Sequence, residues 1–150
     1  MREHECMRLD AAAIDAIRDL YDDLQIDGRV LDLGGAGQEH FAVPPDELVV
    51  LAPGALAGAD VSADDVVCFD CPDSPDLFTA VARVLRPGGR FVTSFSNRDA
   101  PDTARRVRLI RRRFAEVPAF GPAESDLRTS LTGTGDQLWA VWARRVATSA

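Results

Sequence analysis

One segment constrains the fold more than any other: the run Arg29-Val-Leu-Asp-Leu33, which passes without a break into Gly34-Gly-Ala-Gly37. The first five residues read as a short strand buried on both faces, because three of them are branched and apolar with no polar alternation. The next four carry almost no side chain. Such a cluster lets the backbone turn sharply and lets a ligand come close to the main chain. A strand that empties into a glycine loop is the usual opening of an α/β sheet, whose ligands sit outside the carboxyl ends of the strands.

The flanking sequence predicts the rest of that sheet. Asp10 to Leu24 reads as a helix, since Ile14, Ile17, Leu20, Tyr21 and Leu24 recur at three- and four-residue steps and Asp10 can cap the start. Asp27-Gly28 is a turn, and Pro44-Pro45-Asp46 a loop. Glu47–Leu51 is the second strand, stopped by Pro53-Gly54; Gly54 to Gly58 reads as loose, with room for a short helix. Asp65–Phe69 is a third, continuously apolar strand. Ser74-Pro75 starts a helix whose buried stripe is Phe78, Val81, Ala82 and Leu85, with Pro87-Gly88-Gly89 as its stop. Arg90–Phe95 is the fourth strand, and a helix from about Asp102 to Glu116 turns Val107, Ile110 and Phe114 inward. Leu127–Leu131 reads as an edge strand, Thr132–Asp136 as a turn and Gln137–Arg144 as the last strand, so the final pair is an antiparallel hairpin. Trp139 and Trp142 face opposite sides of that strand, one for the core and the other a candidate for an interface.

Strands alternating with helices imply a mainly parallel sheet with helices on both faces. At 150 residues the chain suits one domain: an N-terminal helix in 1–27, an α/β core in 28–116 and a C-terminal hairpin in 117–150. The net charge of −7 argues against nucleic-acid and anionic-membrane partners. The amino terminus, Met1-Arg2-Glu3-His4-Glu5, lacks the apolar stretch of a secretory signal, and a cytoplasmic location is the expectation. All 17 basic residues are Arg, which excludes Lys-based chemistry such as a lysine Schiff base and fits the codon usage of a GC-rich bacterial genome. Of the cysteines Cys6, Cys68 and Cys71, the last two form a lone Cys-x-x-Cys with no second pair or histidine nearby, so no metal site is expected.

Two motifs carry a resemblance. Val30-Leu-Asp-Leu-Gly34 resembles the first motif of class I S-adenosyl-L-methionine (SAM) methyltransferases, and Ala82-Arg-Val-Leu-Arg-Pro-Gly-Gly-Arg-Phe91 resembles the segment leading into their fifth strand. Leu9–Ile14, Leu20-Tyr21, Gly28–Leu33, Ser94–Arg98 and Gly135–Arg144 are similar to parts of a shortened branch of that family, of the methyltransferase type 11 kind. The likeness spans roughly residues 4 to 146. It implies a Rossmann-like three-layer sandwich with SAM as cofactor and a small-molecule substrate. It also implies a cofactor site at Asp32, Gly34, Gly35, Ala36, Gly37, Ala52 and Asp70.

The chain departs from the family in three places. In the Gly-x-Gly-x-Gly register, Ala36 and Gln38 replace the second and third glycines. The second strand ends Val50-Leu51-Ala52-Pro53, without the acid that holds the cofactor's ribose. Only thirteen residues, Ala52 to Asp64, separate the second and third strands, so the sheet is expected to lack an edge strand. For catalysis His40 and Asp70 are the candidates, each with a plain alternative: a solvent-exposed or structural histidine, and a turn-forming aspartate. Ser96-Asn97-Arg98 can hold substrate or cap the next helix. Arg105, Arg106, Arg108, Arg111, Arg112 and Arg113 form either a site for an acidic partner or phosphate, a solvated helix face, or pairs within the chain or across a homodimer. The functional alternatives are a methyltransferase, a non-catalytic relative serving as a binding or dimer-partner protein, and another enzyme on this scaffold such as a cyclase.

Overall fold

The computed structural model describes residues 11–33, 41, 45–58, 62–70, 72, 74–96, 103–128 and 138–146. Among these residues six strands form one sheet: β1 (Arg29–Leu33), β2 (Glu47–Leu51), β3 (Ala63–Phe69), β4 (Leu85–Ser96), β5 (Glu124–Arg128) and β6 (Leu138–Arg144), in spatial order β2-β1-β3-β4-β6-β5. The pairs β1–β2, β1–β3 and β3–β4 are parallel; β6 runs antiparallel to both β4 and β5. Among the described residues three helices cover the faces: α1 (Ala11–Asp23), α2 (Pro75–Val84) and α3 (Thr103–Ala115). None of them is long and apolar enough to cross a membrane.

The layers follow from the side-chain periods. On one face Ala16, Ile17, Leu20 and Tyr21 of α1 meet Val30, Val67, Val92, Ala140 and Trp142 of the sheet. On the other, Leu77, Phe78 and Val81 of α2 and Ile110 and Phe114 of α3 meet Leu31, Leu33, Val66, Phe91 and Phe95. Successive strand residues alternate between the two clusters, so β1 and β3 are buried almost throughout and carry no polar alternation. Four rings knit the second cluster: Phe114 lies 4.9 Å from Phe78, 5.7 Å from Phe91 and 5.0 Å from Phe120, in edge-to-face geometry. The two tryptophans point to opposite faces and both pack inward, Trp139 partly buried on the α2–α3 side and Trp142 buried against α1.

The sheet lacks the edge strand, as expected: among the described residues β2 is its edge, and only residues 52–62, partly a 3-10 helix over Pro53–Gly58, join β2 to β3. That helix replaces the loose stretch expected after Pro53, and its Leu56 is fully buried. Two strand limits also shift. β3 begins at Ala63, two residues earlier than read from the sequence, and β5 occupies Glu124–Arg128 where Leu127–Leu131 was expected.

The largest correction concerns Pro87-Gly88-Gly89. These residues do not stop a helix. α2 ends at Val84, and Leu85 is already extended (φ −77°, ψ 140°), its N–H still bonded to the Val81 carbonyl. The pair Ala63–Leu85 is followed along the ladder by Asp65–Arg90, so β4 spends extra residues against β3 in a bulge. Gly88 supplies the positive φ (87°) that the bulge needs. The end of β6 clamps it: Arg145 N–H donates to the Gly89 carbonyl at 2.8 Å, Gly88 N–H donates to the Arg145 carbonyl at 2.7 Å, and the Arg145 guanidinium donates to the Leu85 carbonyl.

Candidate functional site

The carboxyl ends of β1, β2, β3 and β4 open at one edge of the sheet, and three of the expected site residues come to it. Asp32 is the penultimate residue of β1, level with Val50 of β2 and Val67 of β3. It is 1% exposed. Ala52 follows β2 directly and is exposed. Asp70 follows β3 directly. The glycine loop, with Gly34, Gly35, Ala36 and Gly37, lies outside the described residues, as do Gln38, His40, Cys71, Asn97 and Arg98.

Asp32 is buried under α1. The Tyr21 phenol is buried beside it, and burial pushes its pKa far upward; the neighbouring Asp32 and Cys68 push the same way, while a weak interaction with the Ser94 hydroxyl works against them. Tyr21 therefore stays a neutral group. Its ring lies 5.0 Å from that of Phe41, so one side chain of α1 touches the strand before the glycine loop and the residue just after it. On the opposite face the Cys68 thiol donates to the Leu33 carbonyl at 3.2 Å, closing the end of β1 from below. Cys68 is thus a small core residue. Among the described residues no cluster of three metal-ligating side chains exists.

Asp70 is more than a turn residue. Its φ is +56°, a left-handed conformation that costs a non-glycine residue about 1–2 kcal/mol. Its N–H donates to the Ser94 carbonyl at 2.7 Å, which holds it there. Its carboxylate takes a hydrogen bond from Arg106 Nη2 at 2.8 Å. The guanidinium carbon of Arg106 stands 4.4 Å above the ring centre of Phe95, near the end of β4. Asp70, Phe95 and Arg106 thus form one unit at the ligand edge, built from β3, β4 and α3. The sequence marked Asp70 but not its partners. Arg106 was one of six arginines, and only its position on the helix, one step from Val107 on the inward side, set it apart. Arg105, Arg108, Arg111 and Arg112 are exposed, as a solvated face requires; Arg111 reaches the Ser125 hydroxyl and Arg113 pairs with Glu116.

No family model matches the chain, and no curated protein does. Its shape has clear relatives among solved structures. A SAM-dependent O-methyltransferase from Thermotoga maritima aligns with 99% of this chain and 71% of its own, at TM-score 0.59 and 14% identity. The fold is that of SAM-dependent methyltransferases. Geranyl diphosphate C-methyltransferase from Streptomyces coelicolor aligns with 87% of this chain and 75% of its own, at TM-score 0.59 and 14% identity. A probable spermidine synthase from Corynebacterium glutamicum aligns with 92% and 63%, at TM-score 0.56 and 15% identity. At these identities the likeness concerns the fold, which hosts more than one chemistry.

Proposed function

We propose that the chain binds SAM at the carboxyl edge of the sheet and acts as a methyltransferase on a small molecule. The observation that carries this reading is Asp32: a carboxylate 1% exposed, at the end of the strand that feeds the glycine loop, in the fold of SAM-dependent methyltransferases. A buried carboxylate is costly unless it is satisfied locally, and here it stands where it can order the loop's backbone under a ligand. Bound SAM supplies a methyl group already activated on sulfonium. The protein's share is holding and orienting.

The donor set fits half of that cofactor. Asp32 and the loop of Gly34, Gly35 and Gly37 suit the methionine end. The ribose end meets Val50, half exposed on the edge strand, and Ala52, exposed, where a carboxylate is needed. Loss of a charged hydrogen bond costs on the order of 1.5–3 kcal/mol, so SAM affinity is expected about ten- to a hundredfold below that of a site with the acid.

Calorimetric titration with S-adenosylhomocysteine tests the reading. Heat of binding is expected, lost in Gly34→Val and strengthened at least tenfold in Ala52→Asp. No heat and no thermal shift at millimolar ligand would sink it. The apolar end of β2 specifically favours one second reading, a non-catalytic relative acting as a binding or dimer-partner protein. That reading predicts no SAM affinity and a stable homodimer or partner complex in sedimentation.

A further inference from the structure

We infer that the Asp70–Phe95–Arg106 unit is a recognition site for a small anion, a carboxylate or phosphate group on the acceptor substrate. The inference rests on the reading above for the word acceptor, and on this chain's own geometry for the site. Arg106 is fixed from two sides. Phe95 supports the flat guanidinium at 4.4 Å, and Asp70 fixes its edge at 2.8 Å. Its side chain is still 22% exposed and that of Asp70 33%, so both can be reached from solvent. A guanidinium held in one plane loses little freedom when it takes a carboxylate or phosphate on two N–H groups.

Three further observations point the same way. The pair stands at the carboxyl ends of β3 and β4, on the side where ligands of such sheets bind. Asp70 is kept in a strained backbone conformation, and such strain gathers at functional sites. Trp139 is the cross-strand partner of Phe95 and lies on the same face; its indole N–H is buried and has no acceptor among the described residues. It is one more buried donor on the sheet face that carries Phe95. α3 adds to this. Arg105, Arg108, Arg111 and Arg112 are exposed on the same helix, in a chain whose net charge is −7. Arg105 and Arg108, one and two residues from Arg106, add positive charge within a turn of it. Asp70 then occupies the guanidinium until the ligand's anionic group displaces it.

The test uses the intact chain, titrated with phenyl phosphate and with benzoate, and with benzyl alcohol as the neutral control. Binding is read from the NMR signals of the Arg106 side-chain N–H and the Asp70 amide. At least one anion is expected to move both signals; benzyl alcohol is not. Which anion binds more tightly separates a phosphate acceptor from a carboxylate one. Arg106→Gln should lower the affinity at least tenfold, and Arg106→Lys, which keeps charge but loses the flat fork, by a lesser factor. Asp70→Asn removes the competing carboxylate while tolerating the left-handed backbone, and should raise the affinity about threefold or more. Equal affinity in wild type and Arg106→Gln, or equal binding of benzyl alcohol, overturns the inference. If Arg106→Gln does not fold, a loss of affinity in Asp70→Asn overturns it instead. The separate S-adenosylhomocysteine titration distinguishes failure here from failure of the methyltransferase reading.

Discussion

Gly89→Ala is the sharpest test of how the Arg86–Arg90 segment is built. A Cβ on Gly89 would overlap the backbone carbonyl oxygen of Asp64 and stand 3.0 Å from both the Arg86 carbonyl oxygen and Leu85 Cδ2. Two of these are main-chain atoms of β3 and of the bulge itself, so neither can swing away. Overfilling a tight site costs about 1–3 kcal/mol, and this one falls at the upper end because the obstacle is backbone. Gly88 makes the control. Its φ is +87° and nothing lies within 4 Å of a Cβ there, so Gly88→Ala pays only the left-handed penalty of about 1–2 kcal/mol. Gly54, with open space and no positive φ, should be neutral or slightly stabilised by Ala. Urea denaturation of the three variants should give the order Gly89 worse than Gly88, and Gly88 worse than Gly54. In thermal melts a chain of this size shifts about 2–4 °C per kcal/mol, so roughly 6–12 °C for a Gly89→Ala cost near 3 kcal/mol. If Gly89 were only a helix stop, Ala would be mild there. A cost below about 0.5 kcal/mol, or one smaller than that of Gly88→Ala, refutes the bulge.

Two further predictions concern titration. The chain holds one tyrosine, so alkaline ultraviolet absorbance reads Tyr21 alone; no tyrosinate should form at pH values where an exposed phenol ionises, near 10, until the protein unfolds. Because the folded pKa is the higher one, stability is expected to fall as pH rises above about 10, and Tyr21→Phe should remove that part of the loss; a normal phenol titration in the folded chain would refute the burial. Asp65 is also pushed upward, by burial first, against the opposing pull of Arg90, whose N–H donates to it at 3.1 Å. Its proton is therefore held more tightly in the fold than in the unfolded chain. Its contribution is greatest below about pH 3.9 and is lost as pH rises through the folded value, so wild-type stability should decline relative to Asp65→Asn over that range in urea titrations.

The sheet was legible because its signals are local. β1, β2 and the start of α2 depend on apolar runs, on Ser74-Pro75 and on turn residues that act within a few positions. Pro87-Gly88-Gly89 misled because the same three residues can end a helix or form a bulge. Which of the two occurs depends on contacts with Asp64 and Arg145, distant in sequence. β5 was misplaced for a related reason. Glu124, Asp126 and Arg128 carry no apolar signature, and the strand exists because Ser125 and Leu127 pair with Val141 and Trp139. At the candidate site Asp32 and Asp70 stood out as acids at strand ends. Arg106 did not, since six arginines on one helix look alike until the fold shows which one lies over Phe95.

The distribution of polar groups along the carboxyl edge gives the site its character. On the β2 side the edge ends in Val50, Leu51 and Ala52, all apolar, with no carboxylate. Beneath β1, Asp32 and Tyr21 are buried together and face inward. On the β3–β4 side Asp70 and Arg106 carry opposite charges, remain partly exposed and are held by a strained backbone and an aromatic ring. Among the described residues, the β2 end of this edge therefore offers no carboxylate, and the β3–β4 end offers a partly exposed pair of opposite charges. A ligand held mainly by this edge would owe its specificity to the β3–β4 side. For that reason Ala52→Asp and Arg106→Gln should act on different ligands: the first on S-adenosylhomocysteine affinity, the second on the small anion, each with little effect on the other.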